Sequence, residues 1–141
     1  MTQKDPYALV NIAMIMTPKV SLSLLHSDDS VRQGLELMTR KGYTAVPVLD
    51  EKGVYLGTIT EGDFLRHIMT VGTTDLRAHE KYRIEEIFRP GYCAPLSILA
   101  PGEELVQKSM EQNFVPIVDD NGFLCGMVTR RSLIQYLWEH Q

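Results

Sequence analysis

Val46-Pro47-Val48-Leu49-Asp50 returns 69 residues later as Val115-Pro116-Ile117-Val118-Asp119. The same offset, with no gap, pairs Gly53 with Gly122, Gly57 with Gly126 and Thr60 with Thr129. It runs on through Phe64, Leu65, Ile68 and Met69 against Leu133, Ile134, Leu137 and Trp138, an i, i+1, i+4, i+5 apolar face in each copy. Agreement at so many spaced positions marks an internal repeat, and a repeat governs every other reading of the chain. Upstream, Ile15-Met16-Thr17-Pro18 answers Ile87-Phe88-Arg89-Pro90 at an offset of 72, so the second copy is three residues shorter between Met110 and Val115, opposite Gly42-Tyr43-Thr44. The copies are expected at residues 12–69 and 84–138, joined by a polar connector at 70–83 where Gly72, Thr73, Thr74 and Asp75 break the apolar pattern, with 1–141 forming one module.

Periodicity orders the elements within a copy. Val20 to Leu25 reads as a short strand, and Asp29 to Lys41 as a helix with Val31, Leu35 and Met38 on one face and Gly42 as its stop. Ala45 to Leu49 and Val54 to Thr60 are apolar runs joined by Asp50-Glu51-Lys52-Gly53, a hairpin signature, and Thr60 then caps a second helix. Asp119-Asp120-Asn121-Gly122 and Thr129 repeat the turn and the cap in copy two. The fold class is therefore α/β (α+β), a tandem βαββα repeat. A half-chain of about 60 residues buries little surface alone, so the two copies are expected to pack sheet to sheet.

Composition narrows the function. The chain has 141 residues, 44% hydrophobic, with 14 Lys plus Arg against 18 Asp plus Glu, a net charge of -4 that argues against a general nucleic-acid binder. No apolar run approaches the ~20 residues that cross a bilayer. Residues 1–5 lack the layout of a secretory signal, so a cytoplasmic protein is expected. Cys93, Cys125 and the four histidines have no metal-ligand spacing, so no metal is expected. No nucleophile with an adjacent base and no paired carboxylates can be assembled, so an enzyme is not expected.

The Val-Pro-Val-hydrophobic-Asp strand, the glycine turn and Gly57-Thr58-Ile59-Thr60-Glu61-Gly62-Asp63, in tandem, closely resemble the CBS domain pair, or Bateman module. The resemblance covers nearly the whole chain and implies a pseudo-twofold, stand-alone pair without an attached enzyme or transporter. It implies adenine nucleotides in clefts between the copies, the Thr and Asp of the motif contacting ribose. Lys41-Gly42-Tyr43-Thr44-Ala45 together with Val128-Thr129-Arg130-Arg131 is most similar to the stand-alone CBS-pair proteins of Gram-positive bacteria that bind cyclic di-AMP. In those proteins the Gly-Tyr-Thr-Ala loop and the Thr-Arg-Arg helix start face one nucleotide. The motif's Asp is Ser132 in copy two, and copy one has Glu61 where copy two has Arg130.

Each candidate has a plainer role beside the functional one. Thr60 and Thr129 would cap helices whatever the function, at about 1 kcal/mol each, and Asp63 suits a helix dipole with or without a ribose. Arg130 and Arg131 are more telling, because cations in a first helical turn oppose the dipole by roughly 0.3–1 kcal/mol each. A phosphate would offset that, through free N–H groups and bidentate guanidinium bonds; pairing with Asp119 or Asp120 is the alternative. Tyr43 is placed to stack on a purine or to cover a sheet edge. Lys19, beside Ser21, is placed to reach a second phosphate or simply to be solvated.

The expected nucleotide site is thus Lys19, Ser21, Gly42, Tyr43, Thr44, Ala45, Thr129, Arg130 and Arg131. A second, degenerate cleft has Thr60, Asp63 and Phe114, with Glu61 and Asp63 repelling phosphate. The expected function is a non-enzymatic sensor of cyclic di-AMP; the alternatives are a sensor of AMP, ADP or ATP and a ligand-free interaction module. No cofactor and no membrane or nucleic-acid partner are expected. A homodimer is, through the helices after Thr60 and Thr129. The resemblance also implies a regulated partner, a metabolic or stringent-response enzyme.

Overall fold

The structure, a computed structural model, describes Tyr7 and residues 10–140; the sequence reading of residues 1–5 lies outside them. It divides into two compact units, one of Ser23–Tyr92 and one of the described residues up to Leu22 with those from Cys93 onward.

The unit Ser23–Tyr92 holds β2 (Leu25–His26), α2 (Val31–Lys41), β3 (Ala45–Leu49), β4 (Tyr55–Thr60), α3 (Glu61–Val71) and β5 (Arg89–Pro90), in a sheet ordered β2-β3-β4-β5. The other holds α1 (Ile12–Ile15), β1 (Thr17–Pro18), β6 (Leu96–Ser97), α4 (Gly102–Glu111), β7 (Phe114–Val118), β8 (Leu124–Thr129) and α5 (Arg130–Glu139), ordered β1-β8-β7-β6. In both, a short strand pairs parallel with the first hairpin strand, and the hairpin skips one residue, Leu56 or Cys125, in its register.

Local chemistry accounts for the element ends. Ser30 and Gln33 form a capping box at the start of α2, and Gly42 ends it in the left-handed region at φ 69°. Asp50 accepts from the Lys52 and Val54 amides at 2.8 and 2.9 Å, which closes the hairpin turn and holds its carboxyl below the ordinary range, the Val54 bond foremost. Asp119 closes the second turn the same way, on Asn121 and Phe123.

The expected strand Val20 to Leu25 is different. Lys19–Ser21 is a 3₁₀ turn closed by the Leu22 amide on the Lys19 carbonyl, and only Leu25–His26 pairs. Val20 is 93% exposed, so its apolar character does not mark a strand face.

The entry arm of each copy pairs with the other copy's hairpin. β1 lies antiparallel to β8, Pro18 opposite Gly126, and β5 lies antiparallel to β4, Arg89 opposite Thr58. The cores follow this exchange. Val10, Ile12 and Ile15 pack with Leu105, Val115, Ile117 and Leu133 of copy two, and Ile84 packs with Val31, Ile59 and Phe64 of copy one. Fully burying one such side chain contributes roughly 1.5–3 kcal/mol, so each arm is a structural member of its sheet.

Candidate functional site

The two helix starts carry most of the polar chemistry. At α3, the Thr60 hydroxyl accepts from the Asp63 amide, while Asp63 Oδ2 accepts from the Thr60 amide at 2.9 Å and its hydroxyl at 3.1 Å. At α5, Thr129 and Ser132 form the matching box, Ser132 N donating to Thr129 Oγ1 at 3.0 Å and Thr129 N to Ser132 Oγ at 3.1 Å. Both threonines are caps in fact.

Asp63 is more than a cap. Its side chain is 1% exposed, and Oδ1 accepts from Arg66 Nη2 at 2.5 Å and pairs with Arg89 Nε at 3.3 Å. Arg89 also lies over the Tyr92 ring at 4.2 Å. Two guanidinium groups therefore meet the Asp63 carboxylate, so of the two acids expected to repel a phosphate Asp63 is compensated. Sequence reading missed both arginines. Arg66 had a local signal, i+3 from Asp63. Arg89 had none, because it arrives on the exchanged arm.

Arg130 and Arg131 part company. Arg130 donates from Nε to the Ser109 carbonyl at 2.5 Å, from Nη2 to the Met110 carbonyl at 2.8 Å and from Nη1 to Asn113 Oδ1 at 2.8 Å. It thereby caps the C-terminus of α4, where a cation is favoured, and this offsets its unfavourable place at the start of α5. Arg131 is exposed and makes no hydrogen bond or ion pair to any described residue. The pairing with Asp119 or Asp120 does not occur, and Asp119 serves its turn instead.

The loop residues lie beside α3. Gly42 ends α2, Thr44 accepts from the Glu61 amide through its carbonyl at 3.1 Å, and Ala45 pairs with Thr60 across the hairpin. Tyr43 is 40% exposed and accepts from Ser23 Oγ at 3.4 Å. Lys19 and Ser21 belong to the other unit, on the 3₁₀ turn that packs against β8, the strand ending in Thr129. Burial and then Asp119 push the Cys125 thiol of that strand up, Lys19 opposing them. Phe114 pairs with Thr129, and its carbonyl accepts from Cys93 Sγ and Gln112 Nε2. Lys19, Ser21, Phe114 and Thr129–Arg131 thus share one unit, and Gly42–Ala45, Thr60 and Asp63 the other.

Among the described residues, no group of His, Cys, Asp and Glu is arranged to hold a metal ion, and no helix is long and apolar enough to cross a membrane.

The homoserine O-acetyltransferase of Methanococcus vannielii is 24% identical over 115 residues, 80% of this chain. The chain spans only 22% of that curated relative's length. The crystal structure of CbpB in complex with c-di-AMP superposes with a TM-score of 0.83 at 19% identity, over 93% of this chain and 86% of that one. The structure of CBSX2 in complex with AMP does so with a TM-score of 0.72 at 22% identity, over 92% and 97%. These likenesses concern the fold. The CBS domain itself matches twice, over residues 12–70 and 97–139, once on each copy of the repeat, and the chain belongs to the CBS domain family.

Proposed function

We propose that this CBS pair is a regulatory, non-catalytic sensor of adenine nucleotides and that cyclic di-AMP is its ligand. The observation that carries this is Arg131, an exposed cation in the first turn of α5 with no counter-ion among the described residues. A ligand phosphate would supply one. At that helix start the Arg130 and Ser132 amides already donate, to the Asn113 carbonyl and to Thr129 Oγ1, so the guanidinium is the main donor. Lys19 and Ser21 lie in the same unit as Arg131, on the turn that packs against β8. By itself, the unit Ser23–Tyr92 carries in Tyr43, Thr44 and Ala45 a ring and a loop backbone suited to a base. Fold likeness to CbpB, solved with c-di-AMP, supports the same reading. Arg130, tied to α4, contributes first as a cap.

AMP, ADP or ATP is the second reading. Arg66 and Arg89, held by Asp63 beside Thr60 and exposed themselves, favour it, since they set two cations at the helix start of copy one. The CBSX2 structure with AMP has the same fold.

Calorimetric titration of nucleotide-stripped protein with cyclic di-AMP, AMP and ATP separates the readings. We expect one tightly bound cyclic di-AMP per chain, the mononucleotides binding more weakly. Two equivalent sites, or AMP or ATP binding more tightly than cyclic di-AMP, would overturn the assignment.

A homodimer is part of the proposal. Leu65 and Met69 of α3 are 59% and 74% exposed in one unit, and Ile134 and Leu137 of α5 are 66% and 38% exposed in the other; apolar side chains left open on each helix support the reading. Light scattering at micromolar concentration should give twice the 16.0 kDa chain mass, and a monomer would refute it. A partner enzyme regulated by the bound state completes the reading, and a pull-down with and without cyclic di-AMP tests it.

A further inference from the structure

His67 and His79 form a buried pair that the nucleotide reading does not use. His67, on α3, is 8% exposed; His79, closing the 3₁₀ turn Leu76–His79, is 0% exposed. His67 Nε2 lies 3.0 Å from His79 Nδ1, and His79 Nε2 lies 2.9 Å from the Thr73 carbonyl oxygen. A carbonyl only accepts, so His79 carries a proton on Nε2. Its Nδ1 is then bare in the neutral ring, and His67 donates to it from Nε2. The donation runs in one direction, His67 to His79 to Thr73. Tyr82 closes edge-on over His67, ring centres 4.7 Å apart.

These bonds hold the connector between the two copies. Its other ties include the Thr70 hydroxyl on the Arg66 carbonyl, the Gly72 amide on the Ile68 carbonyl, the Val31 amide on the Tyr82 carbonyl at 2.8 Å, the bridge of Ser30 with Arg83, and the ion pair of Arg32 with Glu80. None of those ties uses an imidazole, the side chain whose ordinary titration lies nearest neutrality.

We infer that the His67–His79 pair is an acid-sensitive latch, which pins the connector to α3 while both rings are neutral and loosens on mild acidification. The pair can share one extra proton along its central hydrogen bond. A second would set N–H against N–H across 3.0 Å. Even the first is disfavoured, because burial foremost and then His79 hold His67 below the ordinary imidazole value, with Glu86 opposing them. The charged groups facing the pair are few. Glu86, in the turn Ile84–Glu86, and Asp75, beside His79, attract a proton, and Lys81, over the Tyr82 ring, repels one. Asp63, one turn earlier on α3, is matched by Arg66 and Arg89, and Arg32 of α2 by Glu36 and Glu80.

The sign follows from linkage. His67 takes a proton less readily when latched than when released, so the released state binds more protons. The latch holds fully above about pH 6.5 and weakens as pH falls below it.

The full chain, without ligand, tests this. At pH 7.5, nitrogen NMR should find both rings protonated on Nε2. Between pH 7.5 and 5.5, amide exchange over residues 73–82, corrected for intrinsic rates, should rise by up to about tenfold, the ratio for one ring of ordinary affinity freed on opening. The β3 and β4 amides should stay protected. The double variant His67→Gln, His79→Gln removes both titrating groups and should lose this pH dependence. Should it fail to fold, the wild-type imidazole titration decides alone. Either ring titrating at or above about pH 6.5, a proton on His79 Nδ1 at pH 7.5, pH-independent exchange in the wild type, or the same rise in the double variant would overturn the latch.

Discussion

Arg131→Ala is expected to weaken cyclic di-AMP binding about ten- to a hundredfold while leaving the ligand-free protein as stable as before or up to about 1 kcal/mol more stable. The affinity loss is that of one charge-assisted contact, about 1.5–3 kcal/mol. The stability gain comes from removing a cation from the first turn of α5, where Arg131 has no counter-ion among the described residues to lose. Arg130→Ala provides the contrast. It strips three donors from Ser109, Met110 and Asn113 at the end of α4, so the ligand-free protein should lose about 1 kcal/mol. Thermal melts of wild type and both variants, with and without cyclic di-AMP, separate the two roles. A ligand-induced shift undiminished in Arg131→Ala would remove Arg131 from the site and withdraw the proposal built on it.

The difference between these adjacent arginines shows what a sequence can carry. Caps and turns were legible because their partners lie within four residues: Gly42 after α2, Thr60 with Asp63, Asp50 with Val54. The repeat was legible because hairpin periodicity and the glycine turns recur at a fixed offset. Arg130 looked like an unbalanced charge because the carbonyls that balance it lie 20 and 21 residues earlier. Arg89 escaped notice for the same reason, since Asp63 lies 26 positions away and the two meet only through the pairing of β4 with β5. The strand read at Val20 to Leu25 failed in a related way. Its apolar residues fit a period of two, but Pro18 and the Lys19–Ser21 turn set the backbone there. Local rules gave the elements, and long-range pairing of two-residue strands decided which charges meet.

That pairing yields the other large effect. Gly126, buried in β8, stands opposite Pro18 of β1, and a Cβ built on it would lie 2.4 Å from the Thr17 carbonyl oxygen and 2.9 Å from Met16 Sδ. The first contact is with backbone and cannot be relieved by a rotamer change, so Gly126→Ala must push β1 away from the sheet. Overpacking of this kind costs roughly 1–3 kcal/mol, which for a chain of this size lowers the melting temperature by about 3–10 °C. The arm that moves carries Ile12 and Ile15 into the copy-two core, so the upper part of that range is expected. Gly57, its counterpart in the repeat, has the looser surroundings. A Cβ there would lie 3.0 Å from the Phe88 ring and 3.1 Å from the Arg89 carbonyl oxygen, contacts that a shift of a few tenths of an ångström relieves. Gly57 also sits at φ 159°, a backbone conformation in which a side chain is strained whatever the space, so Gly57→Ala is destabilising through the backbone rather than through its neighbours. Amide exchange gives the local readout, since in Gly126→Ala the amides of residues 15–18 and 125–128 should lose protection before those of β3 and β4. If Gly126→Ala melts with the wild type and keeps that protection, the entry arm does not pair with β8 in solution. The exchange of this arm would then be excluded, while the pairing of β5 with β4 that brings Arg89 to Asp63 stands on its own sheet.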